Sequence, residues 1–195
     1  MSTRIDLKPP CESSVGVELI KTGQTTSYRT GDDGDIEAGR DVSFSVLPGN
    51  NPFGNTNRFT DELGTQTYTN NIVIDWSTYD GTQVLGYYRT IPPSDVTWDV
   101  AIDSALALSI GSFTSGWRLP NKREMENIYN YELIGCMNYP PFNFINTIWI
   151  STTYAASTTL AYTATSSWIN LSAKSGAGGR WIGVRDFTVT GTTLT

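Results

Sequence analysis

The stretch GWRLPNKREMENIYN, residues 116–130, constrains the fold of this chain more than any other. Pro120 disfavours the helical conformation at Leu119, so the chain must arrive extended. Asn121 is a strong helix N-cap, and Glu124 three residues later completes the outline of a capping box. A strand-like segment therefore ends here and a helix begins. Met125, Ile128 and Tyr129 recur at helical spacing and give that helix one apolar face, while Lys122, Arg123, Glu126 and Asn127 fall on the solvated side.

Around this switch the texture is mostly β. NNIVIDWST and TQVLGYYRT read as strands. SDVTWDVAIDSALALSIGS predicts a first helix, with Trp98, Ile102, Ala105 and Leu106 at helical spacing behind Ser94, Asp95 and Thr97 as caps. After the second helix, NTIWISTTYA, LAYTATSSWINLS, GGRWIGVRDF and FTVTGTTLT alternate as strands, rich in β-branched and aromatic residues with glycine-rich turns between them. Two helices with strands on both sides predict an α+β domain, the helices packed on a mostly antiparallel sheet. Residues 1–57 carry many breakers and little periodicity. They read as an extended N-terminal arm and attachment segment, in which VGVELI and DVSFSVL each supply a strand; the folded domain is predicted over residues 58–195.

Composition then excludes several functions. A chain of 195 residues can build one good core with an attached arm. Charged residues are 16%, below the usual ~25%, and six Trp and ten Tyr sit among abundant Thr, Ser, Gly and Asn, as in β-rich surface proteins. A net charge of -6 argues against nucleic-acid binding, which needs a basic surface to replace phosphate counterions, and against an anionic membrane surface. No run approaches the ~18 apolar residues of a membrane span, and MSTRIDLKPPCESS lacks the apolar core of a secretory signal, so a product made soluble in the cytoplasm is expected. The absence of histidine removes the commonest general base and transition-metal ligand together. Cys11 and Cys136, far apart in sequence, read as free thiols.

The order of segments resembles the Lcl C-terminal family, the DUF1566-type domain of certain bacterial surface proteins, which has a C-type-lectin-like fold. The resemblance is carried by RFTDELGTQTYTNNIVIDWST, VTWDVAIDSALALS, GWRLPNKREMENI, WISTTYA and GRWIGVRDF, and spans residues 58–187. It implies that Trp117 and Leu119 are core anchors, that Pro120 and Glu124 fix the turn into the second helix, and that Arg118 holds a loop through several donors to backbone carbonyls or a carboxylate. The same framework serves the formylglycine-generating enzymes, to which RLPNKREMENI is similar. Their cysteine pair near the closing strands has no counterpart here, so their oxidase chemistry does not carry over.

Several residues are candidates for a site. Asp32, Asp33 and Asp35 in GDDGD offer clustered oxygens for calcium, without the spacing or distal Glu of an EF-hand; no other cofactor is expected. Trp149, Tyr154, Tyr162, Trp168 and Trp181 form an aromatic set whose rings suit the apolar faces of sugars, with Asn170, Lys174 and Arg180 as polar partners. About half of these rings must face a core instead. SAKSGAGGRW reads as a mobile loop, which lies on the binding face in lectin-like folds. Asp186, Glu124, Glu126 and Glu132 are the available acids for glycoside hydrolysis, but nothing in the sequence pairs them, and an enzyme is not expected.

These readings converge on a phage virion component, a fibre, decoration protein or adhesin, that binds surface carbohydrate or glycoprotein through its lectin-like domain. Its arm would attach to other virion subunits, with a homotrimer expected for a fibre. The alternative is a purely structural virion protein whose domain packs against neighbouring subunits.

Overall fold

The computed structural model describes residues 26, 27, 29, 30, 33–36, 44–131, 133 and 135–195. Its elements in chain order are the single helical turn α1 (Asp33–Ile36), β1 (Phe59–Thr60), β2 (Ile72–Asp75), β3 (Gln83–Tyr88), α2 (Trp98–Leu106), α3 (Lys122–Asn127), β4 (Ile148–Thr153), β5 (Leu160–Ala164), β6 (Ile169–Ala173), β7 (Gly183–Thr190) and β8 (Thr193–Leu194). The strands form two antiparallel sheets, β1-β2-β3-β7-β8 and β4-β5-β6. The α+β architecture expected from the segment order, with helices against mostly antiparallel strands, is present and is built on two sheets.

Strand alternation divides the larger sheet into two buried faces. Val73, Tyr87 and Val184 stand opposite one another and face the main core, where Ile148, Ile150, Met125, Ile128 and the aromatic residues of the 137–144 loop meet them. Ile72, Ile74, Val84 and Phe187 face the other way, under Leu47, Phe113, Trp117 and Leu194. Gly86 and Gly183 make that second layer possible. A Cβ on Gly86 would meet the Phe187 ring at 2.5 Å, and one on Gly183 would meet Leu108 at 2.6 Å and Trp117 at 3.1 Å. The bare backbone at these positions lets the Phe187 and Trp117 rings, packed edge to face, approach the sheet closely.

The smaller sheet is covered on its outer face by α2. This helix presents Ala101 and Ala105 to Trp149 and Ala161, so a small-residue face receives a large ring. Leu106, expected on the buried side, is exposed instead. Thr97 is the N-cap of α2 but makes no side-chain cap bond.

The WRLP segment lies between the sheets. Arg118 exchanges both backbone hydrogen bonds with Val184 of β7, at 3.0 and 2.8 Å, and the carbonyl of Pro120 accepts from Ser151 N of β4 at 2.8 Å. Trp117 and Leu119 are buried, and Trp117 Nε1 donates to the Phe113 carbonyl at 2.9 Å. The extended arrival that Pro120 enforces thus supplies a bridge between the two layers. The capping box forms as read: Asn121 Oδ1 accepts from Glu124 N at 3.0 Å, and Glu124 Oε2 accepts from Asn121 N at 2.7 Å.

The C-terminal end of α3 is closed by tertiary contacts. Tyr87 Oη donates to the Glu124 carbonyl, Arg58 Nη2 to that of Asn127 and Tyr139 Oη to that of Ile128, at 2.7 to 2.8 Å. Arg58 is itself fully buried. It forms a bidentate pair with Asp75 at 2.9 and 2.7 Å, and its guanidinium lies 4.3 Å from the Phe44 ring centroid and 4.5 Å from that of Phe59. Burial works against the charge of Arg58, but the Asp75 carboxylate outweighs it and raises the pKa.

Phe44 and Leu47 correct the predicted boundary at residue 58. Both are buried, Val46 bridges to Asn57, and Arg58 N donates to the Ser45 carbonyl at 3.0 Å. The domain therefore includes residues from 44 onward. Of DVSFSVL, the described residues 44–47 contribute the single bridge at Val46; its first three residues and VGVELI lie outside the described residues.

Candidate functional site

The sequence-read aromatic set is divided by the fold. Trp149 is fully buried, with Nε1 donating to the Val96 carbonyl at 2.8 Å, so it is a core residue and not a ligand contact. Trp181 is half-buried against the same cluster. SAKSGAGGRW is pinned to the segment before α2: Gly179 bridges to Val96, Lys174 Nζ lies 4.2 Å from the Trp98 ring centroid, and Arg180 Nε donates to Asp95 at 3.2 Å. The two cations expected to serve a ligand are engaged within the fold. Asn170 is exposed on β6.

Trp168, by contrast, is 60% exposed. It follows the tight turn joining β5 to β6, where Thr165 N donates to its carbonyl at 2.8 Å and its own N–H reaches Thr165 Oγ1 at 3.1 Å. The turn holds it beside a cleft of about 270 Å³ lined by Lys122 and Glu126 of α3, Tyr129, Tyr131, Tyr162, Ser167 and Ile169. Tyr131 stacks on Tyr129 with centroids 5.8 Å apart, and Tyr154 meets Tyr162 edge to face at 6.4 Å. Lys122 Nζ sits 5.3 Å from the Tyr162 ring centroid and 3.5 Å from Glu126 Oε1.

This cleft offers apolar ring faces, one ammonium donor and one carboxylate acceptor. Burial pushes the Tyr129 and Tyr131 phenols up, and the Tyr129 hydroxyl is already donated to the Thr165 carbonyl at 2.8 Å. Its volume falls just below the ~300–1,000 Å³ of sites for drug-sized molecules, which suits a small polar unit such as the end of a larger chain. Lys122 and Glu126 were legible only as the solvated side of α3, and Tyr131 stood out in no pattern. The available signal was that the helix face and the aromatic hairpin flank the same turn region.

Two of the candidate acids meet elsewhere. Glu124 and Asp186 line a second, shallow cleft of about 260 Å³ with Thr78, Asp80 and Gln83. Arg118 spans them, 2.7 Å from Glu124 Oε1 and 3.5 Å from Asp186 Oδ2. The expected carboxylate partner of Arg118 is thus Glu124. That side chain is engaged by Arg118 and by the helix cap.

Of the calcium candidates, Asp32 lies outside the described residues, Asp33 starts α1 and Asp35 is exposed on it. Among the described residues no three Cys, Asp or Glu side chains are grouped to hold a metal ion. Cys136 is buried and unbridged, and burial raises its thiol pKa; Cys11 and Glu132 lie outside the described residues. No helix among the described residues is long and apolar enough to cross a membrane. No protein-family model matches the chain, and neither does any curated protein or solved structure.

Proposed function

We propose that this chain is a non-enzymatic phage virion-surface protein, an adhesin, fibre or decoration protein, whose C-type-lectin-like domain binds carbohydrate or glycoprotein. The observation that carries the reading is the Tyr131, Tyr162 and Trp168 cleft beside Lys122 and Glu126. Aromatic faces pack on the C–H faces of sugars, and the adjacent ammonium and carboxylate select hydroxyl geometry. The two-helix arrangement and the WRLP segment between two sheets support the likeness to Lcl C-terminal domains. Residues ahead of the domain would attach it to other virion subunits. Weak single sites suffice for adhesion when many copies share one particle.

The test is binding of the purified full chain to a glycan and mucin array, with and without a calcium chelator. Saturable binding that survives chelation is expected, lost in Trp168→Ala and Tyr162→Ala variants that keep the wild-type circular dichroism spectrum. A blank array, or binding indifferent to both substitutions, would overturn the assignment.

A further inference from the structure

β6 is an edge strand, and its outer side is unpaired among the described residues. The ladder to β5 fixes which groups point outward. Trp168 and Lys174 bond inward, to Thr165 and Thr159, and the antiparallel alternation places Asn170 and Ser172 in inward-bonded pairs with Thr163 and Ala161. The N–H and C=O groups of Ile169, Leu171 and Ala173 therefore face out; of these, the Ala173 carbonyl already accepts once, from Gly176 N. Natural edge strands are usually blunted by charge, proline or a bulge. This edge has none of them: INLSA carries no ionisable side chain, pairs with β5 in unbroken register, and leaves Leu171 42% exposed.

We propose that β6 pairs with β6 of a second copy of this chain, antiparallel about a two-fold axis through Leu171. The sequence is complementary to itself in that register. Leu171 exchanges both backbone bonds with the partner's Leu171, while Ile169 and the partner's Ala173 pair large against small. Asn170 meets the partner's Ser172, amide against hydroxyl. Charge favours the same occupant. A chain of net charge -6 repels its own copies over most of its surface, and this uncharged strand is where two can approach. Every outward backbone group of the strand then finds a partner. The axis runs perpendicular to the joined six-stranded sheet, so the Tyr162 face of both copies points the same way. On the function proposed above, that places two clefts on one side of the particle.

Analytical ultracentrifugation of the full chain over a concentration series tests the proposal. A reversible dimer is expected in the wild type. Leu171→Pro removes an N–H that β5 does not use, and Leu171→Lys sets two like charges across the axis; each should weaken the dimer about thirtyfold or more. The lysine variant decides the matter should the proline variant lose its native spectrum. A wild type that stays monomeric throughout, a dimer unchanged by Leu171→Lys, or a trimer indifferent to it would overturn the proposal. Sedimentation is independent of the array, so the two proposals fail separately.

Discussion

Arg58 and Asp75 show how much one residue pair carries. Both side chains are fully buried, and Asp75 also accepts from Asn127 Nδ2 at 2.8 Å and from Ser77 N at 3.0 Å. Asp75→Asn leaves the guanidinium uncompensated between two phenyl rings and should cost about 3–5 kcal/mol in urea unfolding. Asp61 is a second such residue. Its burial alone would raise its pKa, but Thr65 and the backbone N–H groups of Thr65, Tyr68 and Leu63 outweigh this and hold it below the usual value of 3.8. A depressed carboxylate contributes stability that is present above its unfolded pKa and is lost as pH falls through the folded one. Asp61→Asn should therefore lower stability at pH 7 and flatten its decline below about pH 5, measured by urea titrations at stepped pH. RFTD read as the start of the domain, which in fact already includes Phe44 and Leu47. That Arg58 is its buried cation was not legible, because Asp75 lies 17 residues on and Asn127 contributes from another element.

At the scale of elements, α3 was read closely because its determinants are local. Pro120, Asn121 and Glu124 act within one turn, and Asn121→Ala should cost about 1 kcal/mol in thermal or chemical unfolding. The strands were also legible, since period-two alternation and β-branched content are properties of short windows. β3 is a special case, because Gly86 weakens its strand propensity while its place opposite Ile74 and Arg185 requires a missing side chain. Gly86→Ala should destabilise the fold by about 1–3 kcal/mol, because the Phe187 ring at 2.5 Å and Ile74 Cδ1 at 2.9 Å are both held in the core. Leu106 marks the opposite failure. Helical periodicity placed it inward, but α2 rests on a large tryptophan through its alanines and turns the leucine to solvent.

The whole molecule separates residues that look alike in sequence. Trp149 and Trp168 stand in similar β-type runs, yet one fills the space under α2 and the other rims a cleft. Trp149→Ala should cost about 3–5 kcal/mol of stability. Trp168→Ala should change stability by no more than about 0.5 kcal/mol while abolishing ligand binding. Differential scanning calorimetry beside the array experiment checks both halves of that contrast.

What the sequence determined by itself is what neighbouring residues enforce on one another: the extended approach to Pro120, the capped start of α3, the succession of strands and the α+β class. Tertiary structure alone decided the division into two sheets, the membership of residues 44–57 in the domain, the capture of Lys174 and Arg180, and the meeting of α3 with the β5–β6 hairpin. Those outcomes depend on contacts between segments distant in the chain. Which tryptophan lies under a helix is set by the volumes that must fit together, and a local pattern carries no record of them.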